Sequence, residues 1–186
     1  MRYSALVTYY TRRHNWIGMK RILVSLLILT GIAITLSAFG WLFFEQKIAN
    51  PTPVLIPDTL AGLPLTDRKT GKQAASDFSQ LHGEQFPLTS GVVGAYGNHQ
   101  ATLWVAGALL EPITTEMVIA MRDKIAEGRS PFTPTGEFSD YGRRIYSLEG
   151  MGQTHYYFQS GNLVIWLAIE TDLAEIALQQ LKEYYP

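Results

Sequence analysis

The chain reads as an α+β protein behind one N-terminal transmembrane helix. Its domain is expected to be an antiparallel sheet of about five strands with two to three helices packed on one face. Three observations carry that expectation. An uncharged run, ILVSLLILTGIAITLSAFGWLFF, extends from Ile22 to Phe44. Two β-rich stretches, ATLWVAG and NLVIWLAI, each place a tryptophan in the second strand of a hairpin. Helical periodicity then follows each of them.

Residues 1–21 form a basic tail. Arg2, Arg12, Arg13, Lys20 and Arg21 precede the run with no acidic residue among them. All 16 acidic residues lie at Glu45 or later, against ten Lys and Arg there, which leaves that region at −6. Lys and Arg beside a span stay on the cytoplasmic side. The expected placement is therefore the cytoplasmic (inner) membrane, single-pass, with the N-terminus in and the C-terminal domain outside.

Residues 22–44 are the span. Its 23 uncharged residues match the roughly 20 that a bilayer core requires. A cleaved signal is the rival reading, with Met19-Lys20-Arg21 as a start and Leu36-Ser37-Ala38 as a cleavage site. The run outlasts an h-region of about 7–15 residues, however, and ends in Trp41, Phe43 and Phe44, which suit an interface. The reading is an uncleaved signal-anchor. Thr30, Ala33, Ser37 and Gly40 fall at spacings of three, four and three. They make a stripe of small residues along which a second copy could pack to give a homodimer. Bilayer spans are rich in such residues anyway, and the strict Gly-xxx-Gly pair is missing.

Residues 45–64 carry Pro51, Pro53, Pro57 and Pro64 and read as a stiff, extended tether. The domain, 65–186, opens with a short helix from Gly71 to His82, with Ala74, Phe78 and Leu81 on one face and Gly83 as its stop. A hairpin over Gly91–Gly107 turns at Gly97-Asn98. A helix from about Thr114 to Glu127 presents Met117, Val118, Met121 and Ile125. The stretch RSPFTPTGEFSD has two prolines and no period, so it reads as loop. RRIYSLE is a strand, and THYYFQSGNLVIWLAIE a hairpin about Ser160-Gly161-Asn162. Thr171-Asp172 with Glu175 caps a closing helix whose stripe is Leu173, Ile176, Ala177, Leu181 and Tyr184. Trp104 and Trp166 at matching places suggest a hairpin–helix duplication, although burial of one sheet face produces the same likeness.

Chemistry is scarce. There is no cysteine, which excludes disulfides, thiolate metal sites and a cysteine nucleophile. Asn50 is followed by Pro51, so no usable sequon exists. Both absences suit a bacterial envelope protein. His82-Gly83-Glu84 lacks the cysteine ligands that a zinc deaminase needs, and no other histidine spacing makes a metal site. No catalytic serine motif is present. The glycines of Gly150-Met151-Gly152 and of Gly91, Gly94 and Gly97 lie in strands and turns, not before a helix that could receive phosphate. No cofactor is expected, and an acidic domain outside the cytoplasm does not fit nucleic acid.

What stands out is a surface of aromatics with paired cations: Phe132, Phe138, Tyr141, Arg143, Arg144, Tyr146, Tyr156 and Tyr157. Tyr and Arg are the side chains that anchor interfaces, though half of these could equally be core. The leading expectation is an integral membrane protein displaying a non-catalytic domain that binds a protein, peptide or ligand. One alternative is an enzyme in which Asp140, Glu149 and His155 converge only in the fold. Another is a structural envelope protein that dimerises through its span.

Overall fold

A computed structural model of the protein describes residues 4–82 and 87–186, with side chains at 19–78 and from 87 onward. The expected helix stop at Gly83, and the side chains of Leu81, His82 and Glu84, lie outside the described residues. The chain divides into two compact units, 1–45 and 46–186. The first is built on helix α1 (Ser4–Ala49), 46 residues long. Its Met19–Ala49 portion is long and apolar enough to cross a membrane. Thr35 Oγ1 donates to the Gly31 carbonyl at 2.8 Å, and Trp41 Nε1 to Glu45 Oε1 at 2.8 Å. Both bonds satisfy polar groups within the helix itself, as a lipid environment demands.

Among the described residues the second unit holds eight strands: β1 (Thr59–Leu60), β2 (Leu63–Thr70), β3 (Ser90–Tyr96), β4 (Ala101–Gly107), β5 (Thr133–Asp140), β6 (Arg143–Gly150), β7 (Gln153–Ser160) and β8 (Leu163–Ile169). They form one antiparallel sheet in the order β1-β2-β3-β4-β8-β7-β6-β5. Three helices accompany them: α2 (Lys72–His82), α3 (Glu111–Ala126) and α4 (Ala174–Tyr184). The sheet thus has eight strands where about five were expected. The additional ones lie in segments whose prolines suggested irregular chain. β1 and the start of β2 fall inside the supposed tether, and β5 occupies the supposed loop 129–140. Proline is tolerated on edge strands, and Pro64 and Pro134 both sit on the flanks of this sheet.

Helices cover both faces of the sheet, not one. Side chains alternate across a strand, so Leu103 and Val105 share a face with Ile165, Leu167, Tyr156, Phe158 and Ile145. α4 closes that face with Ala174, Ala177, Leu178 and Leu181. On the opposite face, Tyr146, Leu148, Tyr157 and Val164 meet Val118 and Ile125 of α3. Ala106 meets Ala74 and Phe78 of α2 there too. The stripe foreseen for α4 holds at Ala177 and Leu181, with Leu173 packed against the core, and fails at two positions. Ile176 is 61% exposed and Tyr184 40%, whereas Leu178 and Tyr185 are buried. Thr171–Leu173 forms a separate 3-10 turn, which rotates the start of α4 relative to a helix begun at the expected cap.

Residues 52–58 belong to the domain and are not a tether. Thr52 N donates to Thr89 O at 2.9 Å, and Gly91 N to Thr52 O at 3.1 Å. Ile56 is 5% exposed, and Gly94 makes room for it: a Cβ there would lie 2.5 Å from Ile56 Cδ1. Tyr96 and Tyr185 donate their hydroxyls to Pro57 O and Leu55 O, each at 2.8 Å.

Trp104 and Trp166 are directly opposed at the centre of the β4–β8 pair. Around that point β3–β4 and β8–β7 are arranged as if by a two-fold axis through the sheet. The hairpin loops differ, with four residues in 97–100 and two in 161–162. The likeness stops at the strands, because α3 and α4 turn to opposite faces. A shared apolar pattern accounts for what the two halves have in common.

Candidate functional site

The eight aromatic and basic residues singled out in the sequence separate into core and surface. Tyr157 and Tyr156 are 1% and 9% exposed. Tyr157 lies between Tyr146 and Trp166 in a row of stacked rings, with centroids 4.6 and 5.1 Å apart. Burial, and then the neighbouring Tyr146, push its hydroxyl pKa up. Phe132 packs on the same cluster, 5.1 Å from Trp166. Phe138, on edge strand β5, is partly exposed.

Tyr141, Arg143, Arg144 and Tyr146 do come together. They line an open groove of about 750 Å³, bounded by the first turns of α3, the β5–β6 and β7–β8 turns and the end of α4. Thr115, Val118 and Ile119 form its α3 wall. Sequence reasoning placed Val118 in the core stripe and missed Thr115 and Ile119, because a helix's apolar stripe gives no sign that its margin borders an opening. Gln159 holds the walls together. Its Nε2 donates to Thr114 Oγ1 at 3.0 Å and Gly161 O at 2.9 Å, and its Oε1 accepts from Thr115 Oγ1 at 3.0 Å.

The groove's cations are already engaged. Arg122 pairs with Asp123 at 2.7 Å and Arg144 with Glu137 at 3.1 Å. Lys182 Nζ lies 2.8 Å from Asp140 Oδ2, off the line a hydrogen bond needs, so that contact is ionic. The Arg143 guanidinium donates to the carbonyls of Tyr185 and Lys182. It also lies 5.5 Å from the Phe158 ring centroid. Arg143 thus caps the C-terminus of α4, where unpaired carbonyls favour a cation. This leaves the groove suited to an amphipathic ligand and poorly suited to trapping an anion.

Comparison with protein-family models, with curated proteins and with solved structures finds no match to this chain. The site must therefore be read from its own geometry.

That geometry does not assemble the proposed acid–histidine group. Asp140 stands opposite Arg143 at one end of β6, and Glu149 is near the other end, opposite Thr133 and Thr154. His155 is on the other face, paired across the strands with Leu148 and Ala168. It is 3% exposed. Its Nδ1 accepts from Trp166 Nε1 at 3.2 Å, which leaves Nε2–H to donate to Gly150 O at 3.0 Å. The two bonds fix a neutral tautomer, and burial lowers the pKa from its ordinary 6.5. Among the described residues no three His, Asp or Glu side chains are grouped to hold a metal ion.

A pH dependence follows. The lowered value means that the unfolded chain takes up this proton first. The contribution of His155 is therefore complete above about pH 6.5 and is lost as pH falls below it, by at most about 1.4 kcal/mol per pH unit. Urea midpoints measured from pH 7.5 to 5 should fall in the natural chain and fall less steeply in His155→Gln. Parallel curves for the two would rule out the assignment.

Proposed function

We propose that this protein is a single-pass, membrane-anchored binding module, with an extracytoplasmic α+β domain that engages a protein, peptide or similar ligand through the groove beside Tyr141 and Tyr146. The observation that carries it is the groove itself. It is open, amphipathic and walled by side chains that Gln159 holds in place, and Asp140, Glu149 and His155 do not converge in it. The apolar Ile22–Phe44 stretch of α1 supports anchoring, and the basic residues before that stretch support the inside-to-outside orientation.

Photo-crosslinking in the native membrane tests the binding reading. A benzophenone amino acid at Ile119, in the groove wall, should give a discrete adduct that disappears when Thr115→Trp fills the groove. The same group at Ile176, on the opposite face, should not give it. Equal adducts from both positions would rule out the groove.

The orientation has its own check, which the absence of cysteine makes clean. A membrane-impermeant maleimide should label Asn98→Cys in intact cells and leave Arg12→Cys unlabelled. The reverse pattern would overturn the topology.

A further inference from the structure

One end of the sheet gathers exposed apolar side chains at the point where the chain arrives from α1. Gly107 of β4 pairs with both Ser90 and Leu163, and Leu163 also pairs with Ser160. The β3 start, the β4 exit and the β7–β8 turn therefore share this end. Asp140 and Arg143 bring the β5–β6 turn to it as well. Here Leu109 is 38% exposed, Leu110 58% and Tyr141 97%.

Tyr141 projects from a tight turn of the kind that also carries Ala61 and Met151. Its φ is +49°, the first position of a tight turn completed by Gly142 at +79°. That position ordinarily takes Asn, Asp or Gly.

Thr52 is bonded to Thr89 and Gly91 at this same end. Only seven residues, Glu45–Pro51, lie between the apolar run and Thr52. Even fully extended they reach roughly 25 Å.

We infer that this end of the domain, through Leu109, Leu110 and Tyr141, rests on the lipid headgroups of the membrane that α1 crosses. The inference depends on the anchoring reading above. Tyrosine and leucine are suited to the headgroup–acyl boundary. The nearby charges are mixed, with Lys72 and Arg144 set against Glu111 and Glu183, so the contact is apolar and needs no anionic lipid. At the opposite end of the sheet Asn98 and Met151, in the β3–β4 and β6–β7 turns, face solvent.

Full-length protein reconstituted into zwitterionic phosphatidylcholine vesicles provides the test. Single-cysteine variants Leu110→Cys, Tyr141→Cys, Asn98→Cys and Met151→Cys carry a nitrobenzoxadiazole label, with Trp41→Cys marking the span. Headgroup spin-labelled phosphatidylcholine should quench labels at 110 and 141 several-fold more than at 98 and 151, with little change in 0.5 M salt. Quenching at 41 without quenching at 110 and 141 would overturn the lipid contact and leave the anchor standing. Equal quenching at all four domain positions would also overturn it. No quenching at 41 by any acyl-chain or headgroup spin label would remove the anchor, and this inference with it.

Discussion

Ile56→Ala is expected to destabilise the domain by about 2–5 kcal/mol, the usual cost of truncating a buried aliphatic side chain. Ile56 sits in the core between β3 and α4, in the space left by Gly94. Leu55→Ala is the matched control, one residue away and 76% exposed, and should stay within about 0.5 kcal/mol. Urea unfolding of the detergent-solubilised chain, followed by tryptophan fluorescence, measures both. If residues 52–58 were a free tether, the two variants would behave alike.

Arg143→Met is expected to cost about 1.5–3 kcal/mol, the range for hydrogen bonds to a charged group. It removes the donor to the Lys182 and Tyr185 carbonyls and the cation over Phe158. Arg144→Met, next along β6, breaks only an ion pair with Glu137 whose side chains are 58% and 47% exposed. Exposed pairs contribute about 0–1 kcal/mol. The same unfolding experiment separates the neighbours. Equal losses would mean that Arg143 does not hold the end of α4.

The difference between these arginines could not be read from their order in the chain. RRIYSLE gives alternation, and alternation gives opposite faces, but it does not say which face meets a helix end. Periodicity located α2, α3 and both long hairpins, because each has an apolar repeat that tertiary packing uses. It failed where packing is indirect. β5 has no buried face, so TPTGEFSD carries no alternation and its strand character comes only from pairing with β6. The entry segment failed for the opposite reason. Its prolines describe an extended chain correctly, but Ile56 becomes core only because Gly94, nearly forty residues later, is small. The groove was half legible. Tyr141, Arg144 and Tyr146 stood out as interface residue types, whereas Thr115 and Ile119 became visible only once α3 was placed beside the β7–β8 turn. Helices on one face were expected, whereas α3 and α4 pack on opposite faces of the sheet.

The bonds at Thr52 have a mechanical consequence. Tension passing along the chain from residue 49 meets the domain first at two backbone bonds, Thr52 N to Thr89 O and Gly91 N to Thr52 O. Behind them stand the Tyr185 and Tyr96 hydroxyl bonds to Leu55 and Pro57. Under a steady pull the segment 52–58 would peel off as a separate, early step of several residues. The domain thus has a built-in fuse, and single-molecule stretching should record its release before the main unfolding event.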